Sequence, residues 1–326
     1  MRHGHSMSET LVGLDVSKQT VEWPTVALAV LIYTSWLALT YWHAVVPLWL
    51  LVPAGAWLVC WHSSLQHEIL HGHPTRNAAL NRAIALPPLA LWLAFDRYRA
   101  LHLKHHHDER LTDPLDDPES RYHCPETWQL LGPIGQRLVR AQSTLIGRLT
   151  IGPFWAVGRF LWTEIKAVIA GEPGRRWLWA QHLAGVALIV AWLQLVCLIS
   201  LWLYVAAFVI PGTALMLVRS FAEHRADADV VRRTAVVEDF GPLALLYLFN
   251  NLHAAHHARP QIPWYQLPSF YRANEAVFTG HERGPLYRGY GDVFRRFLLY
   301  PHDKPIHPLG RIPAKLPDRG NTAAAA

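Results

Sequence analysis

Two long stretches of this chain contain no Asp, Glu, Lys or Arg. One runs from Trp23 to His67 and the other from Trp177 to Val218. A helix crosses a bilayer core about 30 Å thick with roughly 20 apolar residues. Each stretch is therefore long enough for two spans joined by a tight turn. The pattern predicts spans at about Pro24–Trp42, Pro47–His67, Gln181–Ser200 and Leu201–Val218. Pro24 suits a first helical turn, and Pro53 is a place for a kink. Residues Asn81–Phe95 are apolar but short, and Pro87-Pro88 interrupts them. They predict an interfacial or re-entrant piece rather than a span. Leu145–Ala170 alternates apolar and basic residues, among them Trp155, Phe160, Trp162, Arg148, Arg159 and Lys166. That pattern fits an amphipathic helix lying on the membrane; the alternative is a helix packed on a cytosolic body. No internal repeat is evident, although a span pair followed by histidines occurs twice.

Composition supports the membrane reading. Of the 326 residues, 52% are hydrophobic and only 17% charged; length alone would permit two soluble domains, but the distribution of charge argues otherwise. The net charge of +6 would suggest nucleic acid in a soluble protein. Here every Lys and Arg lies outside the two apolar stretches, which points to membrane-facing loops. Cys60, Cys124 and Cys197 are far apart and form no CxxC pair. That excludes a zinc ribbon, a rubredoxin-like site and a thioredoxin-like motif, and leaves no disulfide framework.

Charge also sets the topology. Four spans put both termini and the long middle segment on one side. All 30 Lys and Arg then share that side, and the positive-inside rule makes it cytoplasmic. Met1–Thr20 lacks an apolar core and a small-residue cleavage site, so it reads as a polar cytosolic tail rather than a signal peptide. Asn321–Ala326 reads as disordered. The expected organisation is a tail over 1–22, a membrane domain over 23–285 and a C-terminal cytosolic extension over 286–326.

The candidate chemistry is in the histidines, 20 in all. Three clusters have metal-ligand spacing, each past the end of an apolar run: His67-Glu-Ile-Leu-His71, His102-Leu-Lys-His105-His106-His107, and His253-Ala-Ala-His256-His257. Neutral imidazole is a good ligand for iron, zinc and copper. On a helix, residues three and four apart share a face, so each cluster can aim two or three rings at one point. A helix from Pro47 to His67 rises about 30 Å, which brings the first pair to the same interface as the others. This many imidazoles exceed one tetrahedral ion and suit two ions side by side. His102, His105 and His106 form HxxHH, and His107 offers a second register. His224, six residues past the fourth span, falls in the same plane and joins the candidate ligands. Asn250 and Asn251 precede the third cluster and could orient imidazoles or bind through water. His73 is open between a supporting role and none, and His43, His62 and His182 read as structural.

The clusters HxxxH, HxxHH and HxxHH, placed after two pairs of spans, resemble those of the membrane fatty acid desaturase and hydroxylase superfamily. The resemblance extends from about His67 to Pro268. Some detail is most similar to carotenoid ketolases: Thr112-Asp113-Pro114 after the second cluster, Glu223-His224-Arg225, and Pro263-Trp264-Tyr265-Gln266-Leu267-Pro268 after the third. The run Asp113-Pro114-Leu-Asp-Asp117-Pro118 is similar to alkane hydroxylases. The resemblance implies an all-α integral membrane protein with four transmembrane helices and a cytosolic histidine-rich di-iron cap, in a bacterial inner membrane with both termini cytoplasmic. It implies two iron ions and O2 as cofactors. The ligand set it carries over is His67, His71, His102, His105, His106, His224, His253, His256 and His257. In acyl-CoA desaturases an Asn stands four residues before the histidine matching His224; here it is Ser220, which puts a water ligand at that place in doubt.

The implied activity is oxidation of a lipid-like substrate, fatty acyl desaturation first. Hydroxylation or ketolation of a lipid, carotenoid or hydrocarbon is the alternative at the same site. No heme motif or ferredoxin-like cysteines occur, so the resemblance implies an external electron donor such as a ferredoxin or a cytochrome, and no nucleic acid. Two readings of other classes stand beside it. HExxH is also the zinc-peptidase motif, with Glu68 as the base activating water. A histidine-rich metal transporter would need polar or ionisable groups within the spans, which carry almost none.

Overall fold

The computed structural model of the chain describes residues 11, 20–106, 110–280 and 283–310. Four helices are long and apolar enough to cross a membrane: Trp23–Tyr41, Leu48–Leu70, Arg175–Val196 and Leu201–Glu223. One stands over each predicted span, and the protein is an all-α membrane protein. Most of the predicted tail and the end of the chain lie outside the described residues. Val21 and Glu22 are described and pinned: Glu22 N–H donates to Pro74 C=O at 2.9 Å.

Two boundaries differ from expectation. The fourth helix continues past Val218 because its first charged residues neutralise each other: Arg219 Nε lies 3.0 Å from Glu223 Oε1, one turn on. The third helix begins at Arg175, earlier than Gln181, because Arg175 pairs with Glu164 at 2.9 Å and with Glu172 at 2.6 Å. It ends at Val196 in a π-helical turn, and Leu198 takes a positive φ of 56°. Ser200 therefore does not end the third span; its hydroxyl caps the fourth, accepting from Leu203 N–H at 3.2 Å.

The second and fourth spans form the centre of the bundle. Within lipid, helices associate mainly through close packing, and small residues allow it. A Cβ on Gly212 would stand 2.7 Å from Val59 Cβ and 3.1 Å from Ala56 O; one on Gly55 would stand 2.7 Å from the Phe208 ring. Around this seam Ile32, Leu51, Val59, Leu65, Tyr204 and Phe208 are buried. Trp49, Leu188, Leu195 and Trp202 are exposed on the outer surface, as lipid-facing residues would be.

The re-entrant reading of the segment before the second histidine cluster agrees with its geometry. A short helix, Ala78–Ala85, is capped by the Asn77 side chain, and residues 86–94 are irregular, with Leu91 at φ 66°. Irregular backbone at membrane depth requires protein partners for its polar groups. The spans supply them. Gln66 Nε2 donates to Ala85 C=O at 2.8 Å, the Tyr204 hydroxyl to Leu89 C=O at 2.7 Å, and His182 Nε2 reaches Leu91 C=O at 2.9 Å. The Tyr33 hydroxyl bonds Ile84 C=O and also contacts His62 Nε2 at 3.1 Å. His62 and His182 thus hold structure, and His43 Nδ1 closes its own turn on Thr40 C=O at 2.9 Å.

The predicted amphipathic segment is two helices, Leu145–Thr150 and Gly152–Ile169. The longer one turns Glu164 and Ala167 inward and exposes Phe154, Trp162, Ile165 and Ile169. Glu164 receives Arg97 at 2.6 Å, Arg175 at 2.9 Å and the Trp179 indole N–H at 3.1 Å. The helix is therefore bound to the start of the third span while keeping an apolar outer face. The remaining residues build a cap at one end of the bundle. In it, Val236–Val237 and Leu286–Tyr287 form a parallel strand pair. Arg121 ties the late chain to the fourth span: it donates to Phe221 C=O at 2.9 Å, His224 C=O at 3.0 Å and Asp303 Oδ2 at 2.9 Å.

Gly212→Val is expected to lower the thermal unfolding temperature of the detergent-solubilised protein, by about 1–3 kcal/mol of overpacking. Gly158→Ala, where a Cβ meets nothing within 4 Å, is expected to be neutral or stabilising by under about 1 kcal/mol. Equal effects of the two would contradict the close seam.

Candidate metal centre

Four backbone segments deliver imidazoles to one place. His67 lies in the last turn of the second span and His71 terminates that helix. His102 and His105 lie on the helix Phe95–His105, with His106 ending it. His224 leaves the fourth span in extended backbone. His253, His256 and His257 sit on the short helix His253–Ala258. All nine sequence-predicted candidates meet there, in two groups. The first holds His67, His71, His102, His106 and His256; the second holds His105, His224, His253 and His257. Within each group the nitrogens lie within 4.8 Å of one another. The groups are adjacent, since His106 of the first and His257 of the second stack at 4.2 Å between ring centroids, 13° apart.

Each HxxHH cluster is split between the two groups. His102 and His106, four apart, face the first group while His105 between them faces the second. His253 and His257, four apart, face the second group while His256 faces the first. The i, i+4 pair shares a helix face, and the ring at i+3 is rotated off it toward the neighbouring group.

The donor atoms fit bound cations. His105 and His253 bring Nε2 to 3.0 and 2.8 Å from His224 Nε2, and His257 Nε2 lies 3.1 Å from His253 Nε2. In the first group His106 Nε2 lies 2.9 Å from His102 Nε2 and 3.3 Å from His256 Nε2. A metal–nitrogen distance of about 2.1 Å gives ligand edges of about 3.0 Å in an octahedron and about 3.4 Å in a tetrahedron. The Nε2 atoms of His67 and His71 are buried and have no hydrogen-bond partner. Buried polar atoms are rarely left so, and a bound cation would satisfy them.

The other ring nitrogen is held from outside. His102 Nδ1 bonds Glu119 Oε1 at 2.8 Å and His105 Nδ1 bonds Asp117 Oδ1 at 2.9 Å. His253 Nδ1 bonds Asn250 Oδ1 at 3.2 Å, and His224 Nδ1 faces Arg233 C=O at 3.3 Å. Asn250 is itself fixed by donating to Glu223 Oε1 at 2.7 Å. Such partners fix the tautomer that leaves Nε2 free as a ligand. Asp117, Glu119 and Glu223 are absent from the sequence-derived set. The Asp113–Pro118 motif is the signal that marks Asp117; Glu119 is the residue just after it.

Burial comes first in setting the charge state. It holds His71, His102, His106, His224, His253, His256 and His257 well below the ordinary imidazole range, and neighbouring histidines lower them further. They are neutral, the form that binds metals. His105 differs: burial again opposes its charge, but Glu119 and Asp117 outweigh it and raise its pKa to about 9.

The remaining candidates lie elsewhere. His107 is outside the described residues. Asn251 donates to Val237 C=O at 2.7 Å and Asp239 C=O at 2.9 Å, a structural role. Glu68 belongs to neither histidine group: Oε1 accepts Trp264 N–H at 2.8 Å and lies 3.8 Å from His73 Nε2. His73 also bonds Glu22 at 2.6 Å; burial opposes its charge, yet Glu68 and Glu22 raise its pKa to about 9. Ser220 Oγ contacts Leu217 C=O at 3.4 Å. A cleft of about 570 Å³ opens between the re-entrant segment and the third span, lined by Leu86, Pro88, Phe95, Leu188 and Ile189. The segment that lines it continues into the helix bearing His102 and His105.

A four-span helical membrane protein with two adjacent histidine groups at one end of the bundle is the class that fold and site define. The chain belongs to the fatty acid desaturase family, whose model matches residues 40–290. It is also similar to the beta-carotene ketolase of Paracoccus sp. (strain N81106 / MBIC 01143), with 27% identity over 216 residues, covering 64% of this chain and 70% of the relative. The protein is thus an integral membrane oxidoreductase of the desaturase and hydroxylase superfamily.

Glu119→Gln is expected to weaken binding of an added metal ion by about 10–100-fold while leaving the helical content unchanged, because it loosens His102 without removing an imidazole. The check is iron titration of the metal-free protein alongside circular dichroism; unchanged affinity would deny Glu119 its orienting role.

Proposed function

We propose that this chain binds two iron ions, one at each histidine group, and uses O2 to oxidise a C–H bond of a lipid-like substrate. The observation that carries the reading is the division of nine imidazoles into two adjoining groups. Iron bound there would supply the O2 activation that removal of hydrogen from an unactivated carbon requires. The chain contributes position and exclusion of water. Its imidazoles at His102, His105 and His253 are pre-oriented by Glu119, Asp117 and Asn250, and five of the nine are buried and the other four half-buried. The cleft beside the third span would admit an apolar molecule directly from the bilayer. Reduction of O2 to water takes four electrons. Desaturation draws two from the substrate and two, with two protons, from a separate donor, such as a ferredoxin or a cytochrome, docking on the cap. Under the positive-inside rule the cap and both termini are cytoplasmic.

Fatty acyl desaturation is the reading that the family favours. One specific observation favours oxygen insertion, by hydroxylation or ketolation of a carotenoid, lipid or hydrocarbon: the similarity to a beta-carotene ketolase. The peptidase reading requires Glu68 as base, and the engagement of that carboxylate by Trp264 and His73 stands against it.

Two irons per chain are expected by elemental analysis, and His253→Ala is expected to lose iron and activity. One zinc per chain, with hydrolysis surviving His253→Ala, would establish the peptidase instead. Lipid and pigment profiling of a host expressing the chain, against a His71→Ala control, is expected to show new double bonds, hydroxyls or ketones only with the unaltered protein. No new product in lipid or pigment would contradict a lipid-like substrate.

A further inference from the structure

Beyond the histidine groups, the cap contains a second built cavity, of about 380 Å³. It is assembled from distant segments. Arg121 and His123 precede the helix Pro125–Leu130, Arg148 lies on Leu145–Thr150, Arg159 on Gly152–Ile169, and Asp303 comes from the late chain. Two carboxylates line it, and both are already engaged. Asp117 holds His105 and accepts the N–H groups of Thr112 and Glu119. Asp303 holds Arg121 and His302. The Arg121 guanidinium is taken up by Asp303 and by the carbonyls of Phe221 and His224.

Arg148 and Arg159 are left over. Among the described residues neither guanidinium makes a hydrogen bond or an ion pair, and Arg148 Nε is buried without a partner. Burial, then the charges of Arg121 and Arg159, push the Arg148 pKa down to about 9. Arg148 is half-buried with its Nε enclosed, and the nearby Asp303 is paired to Arg121 instead; an anion in the cavity would offset the cost of a partly desolvated cation that no carboxylate pairs. Guanidinium is the side chain best matched to phosphate, through its planar fork of donors.

The surroundings indicate how the anion arrives. The helix Gly152–Ile169 adjoins the third span through Glu164, and its outer face exposes Phe154, Trp162 and Ile165. Leu130, next in sequence to the lining residue Leu131, and Ile134, on the helix Gly132–Gln142 whose Val139 and Gln142 line the cavity, are 85% and 74% exposed. Apolar side chains this open fit the acyl region of a membrane better than water. A phosphate between Arg148 and Arg159 would then have apolar side chains next to it, as a phospholipid requires and a free anion does not.

We propose that this cavity is a binding site for the phosphate of an anionic phospholipid, with Arg148 and Arg159 as its ligands and the exposed apolar side chains beside it receiving the acyl chains. The site is distinct from the histidine groups and does not depend on what reaction they perform.

The test uses the full chain in neutral detergent, with thermal unfolding followed during titration of three probes: phosphatidylglycerol, phosphatidylcholine and inorganic phosphate. Phosphatidylglycerol is expected to give a saturable rise in unfolding temperature that the other two do not. Arg148→Gln and Arg159→Gln are each expected to weaken its apparent affinity by about tenfold or more, the loss of one charge-assisted contact, with iron content unchanged. Arg159 is exposed, so Arg159→Gln keeps the test alive should Arg148→Gln fail to fold. An equal rise with inorganic phosphate would make the ligand a free anion and overturn the lipid assignment. No rise with phosphatidylglycerol, or the same affinity in the variants, would overturn the site.

Discussion

Nitrogen lone pairs crowded together in a buried space are the constraint on which this structure depends. Ring nitrogens from separate segments approach to between 2.8 and 3.3 Å, and two more are buried with no partner at all. Without cations, such contacts can share protons only pairwise, and burial disfavours adding any. Nothing in the apolar core would bring these rings together unaided. Their convergence therefore requires a rigid frame, and the membrane helices provide it: the second and fourth spans end at the site, one delivering His67 and His71 and the other His224.

That frame explains features otherwise out of place in a membrane bundle. Close packing of the second and fourth spans at Gly55 and Gly212 sets their ends side by side. Buried polar side chains of three spans, Gln66, His182 and Tyr204, hold the irregular segment before the helix of His102 and His105. The buried Arg219–Glu223 pair lets the fourth span run into the cap, and Glu223 then fixes Asn250, which orients His253. Each of these polar side chains has a partner, so the cost of desolvating it is offset locally. A chain of contacts thus leads from helix packing to the direction in which an imidazole points.

A division of labour follows for the cap. Carboxylates at Asp117 and Glu119 serve the histidines, whereas the guanidiniums of Arg148 and Arg159 come from the two helices of the amphipathic segment. Asp117 borders both regions, so the polar interior of the cap is continuous from the histidine groups to the basic cavity. The exposed apolar face of Gly152–Ile169 is the surface that would rest on the bilayer, from which both a substrate and a lipid ligand would come.

Much of this was legible in the chain itself. Absence of charge over two stretches is a local property that a bilayer converts directly into helices, so the number and order of the spans could be read by length. Histidine spacing is equally local, and it named the candidate imidazoles. The ends of the third and fourth spans could not be read, because Arg175 and Arg219 enter helices only when Glu164 and Glu223 neutralise them, and the Arg175–Glu164 contact is tertiary. Nor could the assignment of rings to the two groups. Spacing puts His102, His105 and His106 near one face, but which way His105 turns depends on the position of His224, 119 residues away. Asp117 stood in a visible motif, but which ring it, Glu119 or Glu223 would serve was hidden, since orienting a ring takes only one oxygen at the right place and leaves little periodic trace. Local chemistry determined which elements and ligands exist; the packing of distant segments decided which of them face one another.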